Sequence, residues 1–144
     1  MSPSRRGEEG RAVVEFVFLG VLMLLPLLYL VLTAARIQAA SFSASLASRE
    51  AGRAFVTGRD DADAAERAYA AAAVAFEDFA FERGARVELS CDGSPCLRAD
   101  GLVTARSSIA VQLPLIPDFI SSRVPSAVTI SSTHVQAVDR FVAR

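Results

Sequence analysis

The longest apolar run of the chain extends from Phe16 to Ala35 and contains no charged residue. As a helix rising 1.5 Å per residue it would span roughly 30 Å, the thickness of a bilayer's hydrocarbon core. Pro26 lies within the run, and membrane helices tolerate proline, usually as a kink. A domain of this size could hardly bury such a run on all sides. The pattern therefore predicts a transmembrane helix over residues 16–35.

Cleaved export is an alternative, because an apolar run near the start of a chain is also typical of a secretory signal. Such signals have an apolar region of about 7–15 residues followed by a small-x-small cleavage site. This run is longer, and Arg36 and Ile37 interrupt the alanine pairs that follow it. Ser41-Phe42-Ser43 is a weak cleavage motif. A secreted globular protein therefore stays an alternative, as does an uncleaved single-pass anchor carrying an extracytoplasmic binding domain.

Beyond the membrane run, apolar positions continue at intervals of three and four, which predicts one helix over residues 11–57. These positions are Ile37, Ala40, Ala44, Ala47, Ala51 and Ala54. Small side chains allow a neighbouring helix to approach closely. Alanine is also common throughout this chain, so the stripe is either a packing surface or a result of composition.

Residues 58–144 have the pattern of a separate domain that begins with a second helix; the cysteines discussed below favour an extracytoplasmic location for it. Gly58 interrupts the first helix, Asp60 or Asp61 can cap the next one, and Gly84 is expected to end it. Its predicted apolar face consists of Ala65, Tyr69, Ala72, Ala73, Phe76, Phe79 and Ala80. An aromatic face at helical spacing is typical of a core and gives no cofactor signal.

The remaining pattern alternates with period two and predicts three strands. The first covers Arg86–Cys91 and the second Val103–Leu113. The third, Ala127–Val138, changes its apolar parity after Ile130, which predicts a bulge near Ser131–Thr133. We therefore expect an α+β fold: a long N-terminal membrane-spanning helix, a second amphipathic helix and a small three-stranded antiparallel sheet.

The segment Pro114–Ser126, between the second and third strands, contains three prolines, which prevent regular strand pairing. Four large apolar residues make it more hydrophobic than a solvated loop: Leu115, Ile116, Phe119 and Ile120. Such a loop either folds over the sheet or contacts a partner.

Composition and motifs argue against catalysis. The only histidine, His134, lies in a predicted strand, and Ser131 and Ser132 lie in no nucleophile motif. Phosphate-binding, dinucleotide and metal motifs are missing from the sequence. The net charge of -1 favours no binding of nucleic acid. The sequence predicts a structural protein without cofactor, metal, nucleic acid or small-molecule substrate.

Cys91 and Cys96 flank an Asp-Gly turn in SCDGSPC. A bridge there would stabilise the fold by roughly 2 kcal/mol and would require an oxidising compartment. Two unpaired thiols are the alternative, since a zinc site would lack ligands. Three arginines lie near each end of the apolar run, so charge does not settle its orientation. The cysteines favour a cytoplasmic N-terminus and an extracytoplasmic domain.

Glu15 precedes the apolar run directly, although a carboxylate within a membrane helix is disfavoured by up to ~2.5–3.5 kcal/mol at the bilayer centre. If the chain were cut after Gly10, the free amine of Arg11 could neutralise Glu15 of an adjacent packed helix. Alternatively, Glu15 lies at the membrane edge in the first helical turn, where the helix dipole favours an acid.

The heptapeptide GRAVVEF, Gly10 to Phe16, resembles the type IV prepilin processing site. Together with the short leader RRGEEG and the following apolar run, it makes residues 6–40 similar to the TadE-like pilus assembly proteins, which are minor pseudopilins of the tight-adherence (Flp) pilus system. Arg11 differs from the apolar first residue of many type IV pilins.

The resemblance implies that residues 1–10 are a cytoplasmic leader, which a prepilin peptidase removes between Gly10 and Arg11. It also implies an assembly contact at Glu15 and Phe16, with other pilins and pseudopilins of the Tad system as partners. The expected location is the cytoplasmic (inner) membrane.

Overall fold

The computed structural model describes residues 6–112 and 127–141, with side chains from Arg11 onward. Two helices precede three strands: α1 (Arg6–Phe55), α2 (Asp61–Glu77), β1 (Ala85–Cys91), β2 (Leu102–Gln112) and β3 (Ala127–Ala137). The predicted α+β fold is confirmed. The proline-rich segment Pro114–Ser126 lies outside the described residues, so its expected role stays a prediction.

Helix α1 begins earlier than the sequence predicted. Its backbone is helical from Arg6, whereas the sequence predicted a helix that begins at residue 11. Pro26 lies inside the helix. The chain divides into two compact units, Met1–Ala35 and Arg36–Arg144, so α1 contributes to both.

The second part of α1 carries the small-residue stripe. Ala40, Ala44, Ala47 and Ala51 are fully buried, and Ile37 and Ala54 are half-buried. The Ser107 hydroxyl of β2 donates to the Ala44 carbonyl at 2.6 Å, and the Ser43 hydroxyl donates to the Ala75 carbonyl of α2 at 3.1 Å. The stripe is therefore a packing surface, covered by the sheet and helix of its own chain.

Helix α2 begins as expected but buries a different face. The Asp60 carboxylate caps it by accepting from the backbone N–H groups of Ala62 and Asp63, at 3.0 and 2.9 Å. The buried residues are Ala64, Ala68, Ala72, Ala75 and Phe76. Tyr69, placed in the core by the sequence, is 51% exposed. The face is rotated because close packing against α1 selects alanine over tyrosine.

The end of α2 was also predicted too late. The N–H of Phe81 donates to the Phe76 carbonyl at 2.9 Å, and the N–H of Ala80 donates to Glu77 at 2.9 Å. These two bonds form a Schellman closure, with Ala80 in the left-handed conformation (φ 56°) that glycine usually adopts. Gly84, the predicted stop, has φ 84° and instead leads into β1.

The sheet has the order β1-β2-β3, and both pairs are antiparallel, as predicted. Leu89 pairs with Ala105, and Ile109 pairs with Ile130. The central strand β2 buries alternate residues on the face that packs against the helices: Val103, Ala105, Ser107, Ile109 and Val111. This alternation follows the sequence pattern directly.

The predicted bulge in β3 is wrong, because the register runs without interruption from Ala127 to Ala137. Regular pairing turns Ser132, His134 and Gln136 inward, while Val135 is 53% exposed. These polar residues pack against a part of α1 whose side chains are small or polar. Ser48 donates to Ser132 Oγ at 3.2 Å, and a Cβ added to Gly52 would lie 3.3 Å from both His134 and Gln136.

Candidate functional site

The residues singled out by the sequence fall into two groups, which belong to the two compact units of the chain. Gly10, Arg11, Glu15 and Phe16 lie near the start of α1. Cys91 and Cys96 lie at the connection between β1 and β2. Each group is described within its own unit.

The start of α1 presents its side chains outward. Gly10 and Arg11 are consecutive helical residues, and Arg11, Glu15 and Phe16 are all exposed, Phe16 to 78%. Arg11 and Glu15 are one turn apart, a spacing at which ion pairs can form. Among the ion pairs between described side chains, however, neither residue takes part. Within this chain, the Arg11 guanidinium does not neutralise Glu15.

The apolar part of α1 that follows is also exposed. Every large aliphatic residue and phenylalanine between Phe16 and Leu32 exposes about half or more of its surface. The described residues contain one helix that is long and apolar enough to cross a membrane. A continuous apolar surface of this kind marks contact with a membrane or a partner.

Cys91 and Cys96 are joined, with sulfurs 2.04 Å and Cα atoms 5.4 Å apart. The Asp61 carboxylate accepts from the backbone N–H groups of Cys96 and Leu97, at 3.1 and 3.2 Å. The sequence suggested only a capping role for Asp61. No local pattern indicates this second role, because the partners lie 35 and 36 residues away.

A second carboxylate organises the same connection. Asp92 accepts from the backbone N–H of Leu102 at 2.9 Å and from Arg98 Nη2 at 2.8 Å. These contacts, with the Leu102 bond as the largest, lower the pKa of Asp92 below its usual range. The bridge and the two carboxylates, Asp61 and Asp92, together fix the connection between β1 and β2.

Asp63 lies in the first turn of α2, and among the described acids its pKa departs most from the usual value. It accepts from the backbone N–H of Arg59 at 2.9 Å, from Arg59 Nη2 at 3.2 Å and from Arg67 Nε at 2.8 Å. These bonds stabilise the charged carboxylate and lower its pKa strongly. Their role is structural, because they tie the α1–α2 turn to the start of α2.

The only histidine, His134, and the nearby Ser132 contact other side chains of the sheet and of α1. His134 Nε2 is 3.4 Å from Gln136 Oε1, and Ser132 bonds with Ser48. Across residues 6–112 and 127–141, no three potential metal ligands come together. The Ser48–Ser132 bond joins α1 to β3, whereas the His134–Gln136 contact lies within β3.

A cavity that sequence reasoning missed lies beside Arg36 and Phe81. It measures about 430 Å³, and Arg83 is also part of its lining. The Arg36 guanidinium carbon is 5.0 Å from the centroid of the Phe81 ring. Arg36 and Phe81 are far apart in the sequence, so no local motif indicates that they share a cavity.

Comparison with known proteins adds no relative: no protein-family model, no curated protein and no solved structure matches this chain significantly. The functional argument therefore depends on the residues and their geometry.

Proposed function

We propose that this protein is a structural, non-enzymatic membrane protein of type IV (Tad/Flp) pilus assembly, a minor pseudopilin processed by a prepilin peptidase. The observation that carries the proposal is the start of α1, where Gly10 and Glu15 immediately precede an exposed, uncharged helical surface. In this proposal α1 spans the cytoplasmic membrane, and residues 58–144 lie outside the cytoplasm.

Glu15 supports assembly as well as anchoring. It is exposed at the head of the apolar surface and pairs with no cation among the described side chains. A carboxylate next to lipid is disfavoured unless a cation or hydrogen-bond donor compensates it. The amine that cleavage would create on Arg11 of a neighbouring subunit is such a partner. Glu15 and Phe16 then contact other pilins and pseudopilins.

The backbone around Gly10 fits a processing site. The Gly10–Arg11 bond lies within helical backbone, so a peptidase must unwind this turn to reach it. Glycine in a helix is about 1 kcal/mol less favourable than alanine, which lowers the cost of local unwinding. Gly10 is thus suited to the position before the scissile bond.

Two alternatives remain from the sequence. Secretion after a cut near Ser43 is disfavoured, because α1 is continuous there and Ser43 is fully buried, bonded to Ala75 in the domain core. An uncleaved single-pass anchor would use the same exposed apolar surface. Such an anchor would retain residues 1–10, and its Glu15 would not pair with a neighbouring subunit, in contrast to the proposed pseudopilin.

Processing separates these possibilities. When the full chain is co-expressed with a prepilin peptidase, we expect a product about ten residues shorter that begins with Arg11, as the resemblance implies. Gly10→Ala should abolish that product. Gly20→Ala is the matched control, because an added Cβ there meets nothing within 4 Å. N-terminal sequencing of the membrane-extracted protein is the measurement, and an unprocessed wild type beside an active peptidase would refute the proposal.

The assembly contact is tested on the processed protein. Glu15→Gln and Glu15→Leu should leave the chain in the membrane but reduce crosslinking to its pilin partners, since each leaves the Arg11 amine unpaired. Loss of one partner of a buried ion pair costs about 3–5 kcal/mol. Wild-type crosslinking by both variants would show that the carboxylate only tolerates its position at the membrane edge.

A further inference from the structure

Two arginines in the wall of the cavity beside Arg36, Arg36 itself and Arg83, form no ion pair among the described residues. The cavity wall includes Arg36, Phe81, Glu82, Arg83, Gly84 and Gln112. All of them belong to the unit Arg36–Arg144. The wall combines cationic groups with an aromatic ring, and its volume is about 430 Å³.

Arg36 is the first charged residue after the uncharged run that ends at Ala35. Its guanidinium stacks over the ring of Phe81, which is 5% exposed. The N–H of Phe81 donates to the Phe76 carbonyl at 2.9 Å, which fixes the backbone beneath the ring. A cation–π contact of this kind orients the guanidinium while leaving its N–H groups free to donate.

Arg83 supplies the second cation, on the short connection between α2 and β1. Other arginines of this unit are neutralised locally: Arg53, Arg59, Arg67, Arg98 and Arg140 each form an ion pair. Arg36 and Arg83 form none with a described carboxylate. Glu82, in the same wall, is likewise outside these pairs. Two cations and one anion give the described part of the cavity wall a formal charge of +1.

We propose that Arg36 and Arg83 bind the phosphate of an anionic phospholipid headgroup. The inference rests on the proposed membrane insertion of α1, which puts Arg36, one residue beyond the apolar run, at the depth of the headgroups. Guanidinium groups match phosphate oxygens with paired hydrogen bonds, and arginine is preferred over lysine where that geometry matters. The headgroup contact would hold the domain at a fixed height on the bilayer surface.

The test uses the full chain in nanodiscs of equal parts phosphatidylglycerol and phosphatidylcholine. After extraction, native mass spectrometry gives the ratio of the two lipids that stay bound. Wild type should retain an excess of phosphatidylglycerol. Because Arg36→Gln/Arg83→Gln removes both guanidinium groups that would donate to the phosphate, it should reduce this excess about tenfold or more.

The matched control is Arg49→Gln/Arg106→Gln, which removes two exposed arginines that also lack ion pairs among the described residues. It should leave the ratio unchanged. Glu82→Gln should increase the excess, because it removes the anion from the cavity wall. Glu82→Gln thus tests the site by an increase in bound phosphatidylglycerol, which a loss of folding cannot produce.

Equal losses in both double variants, or no phosphatidylglycerol excess in wild type, would overturn the headgroup site. A wild type that binds millimolar inorganic phosphate but retains no excess of phosphatidylglycerol would assign the cavity to a free anion. A chain that is processed at Gly10 and stays in the bilayer without lipid preference refutes only this inference. A chain that never enters the bilayer refutes the proposed function itself.

Discussion

Helix α1 is continuous, but the surfaces of its two parts have contrasting properties. From Phe16 to Ala35 the side chains are mostly large, apolar and exposed. From Arg36 to Ala54 the fully buried residues are small, and they pack against the sheet and α2 of the same chain. Helical backbone satisfies its own hydrogen bonds in both settings. Side-chain size and polarity therefore decide which part the chain covers itself and which part is left for a membrane or partners.

The largest effect that distinguishes the two parts should come from charge. Leu24→Arg/Leu28→Arg introduces two cations on a surface where the leucines are 60% and 51% exposed. Each arginine at the centre of a membrane helix costs ~2.5–3.5 kcal/mol, so the pair should abolish membrane insertion. The measurement is the fraction of the chain that resists carbonate extraction.

The matched control carries the same spacing in the second part of the helix. Phe42 and Leu46 are 68% and 36% exposed, and Phe42→Arg/Leu46→Arg should leave the protein in the membrane. Equal retention of both double variants would show that the apolar surface of residues 16–35 is covered by something other than lipid.

The next effect tests the small-residue surface by size. Ala44 is fully buried, and its carbonyl accepts from Ser107 at 2.6 Å. Ala44→Leu should destabilise the domain by about 1–3 kcal/mol, because a larger side chain would separate α1 from the sheet. Ala34→Leu, on an exposed position of the same helix, should change stability by less than about 0.5 kcal/mol.

Urea unfolding of the full chain in detergent, followed by circular dichroism, measures both substitutions. If Ala44→Leu proves as neutral as Ala34→Leu, the close approach of α1 to β2 at Ser107 is not required for stability.

The same contrast explains which parts of the fold were predictable. The apolar run at 16–35, the alternation along β2 and the Asp60 cap are each encoded within one segment. Hydrophobicity and local capping are enough to identify them. For the candidate site, the same holds for the sequence positions of Gly10 and Glu15, and for the pair Cys91 and Cys96.

The sequence predictions failed where the structure depends on contacts with residues that are distant in the sequence. In β3, Ser132 and His134 face inward because α1 presents Ser48 and Gly52 there, and parity of apolar residues alone suggested a bulge. In α2, several alanine faces are equally apolar, and packing on Ser43 selects one of them. The cavity at Arg36 requires a ring from the end of α2, so only the folded chain brings its residues together.

The smallest effect concerns Asp63, whose contacts tie the turn between α1 and α2 to the start of α2. Its pKa is lowered, first by the Arg59 backbone N–H and then by the side chains of Arg59 and Arg67. A lowered folded-state pKa contributes stability above the unfolded value of about 3.9, and that contribution is lost as the pH falls further. Asp63→Asn should therefore reduce stability at pH 7, with the difference from wild type narrowing toward pH 2.

Urea midpoints at pH 7, 5, 3 and 2 give the comparison. Glu66→Gln is the control, because Glu66 is an exposed acid of the same helix and forms no ion pair among the described residues. It should follow wild type at every pH. Membrane retention of Asp63→Asn should not change, since residues 16–35 contain no titratable acid. A gap between Asp63→Asn and wild type that stays constant down to pH 2 would mean that the charge of Asp63 contributes nothing.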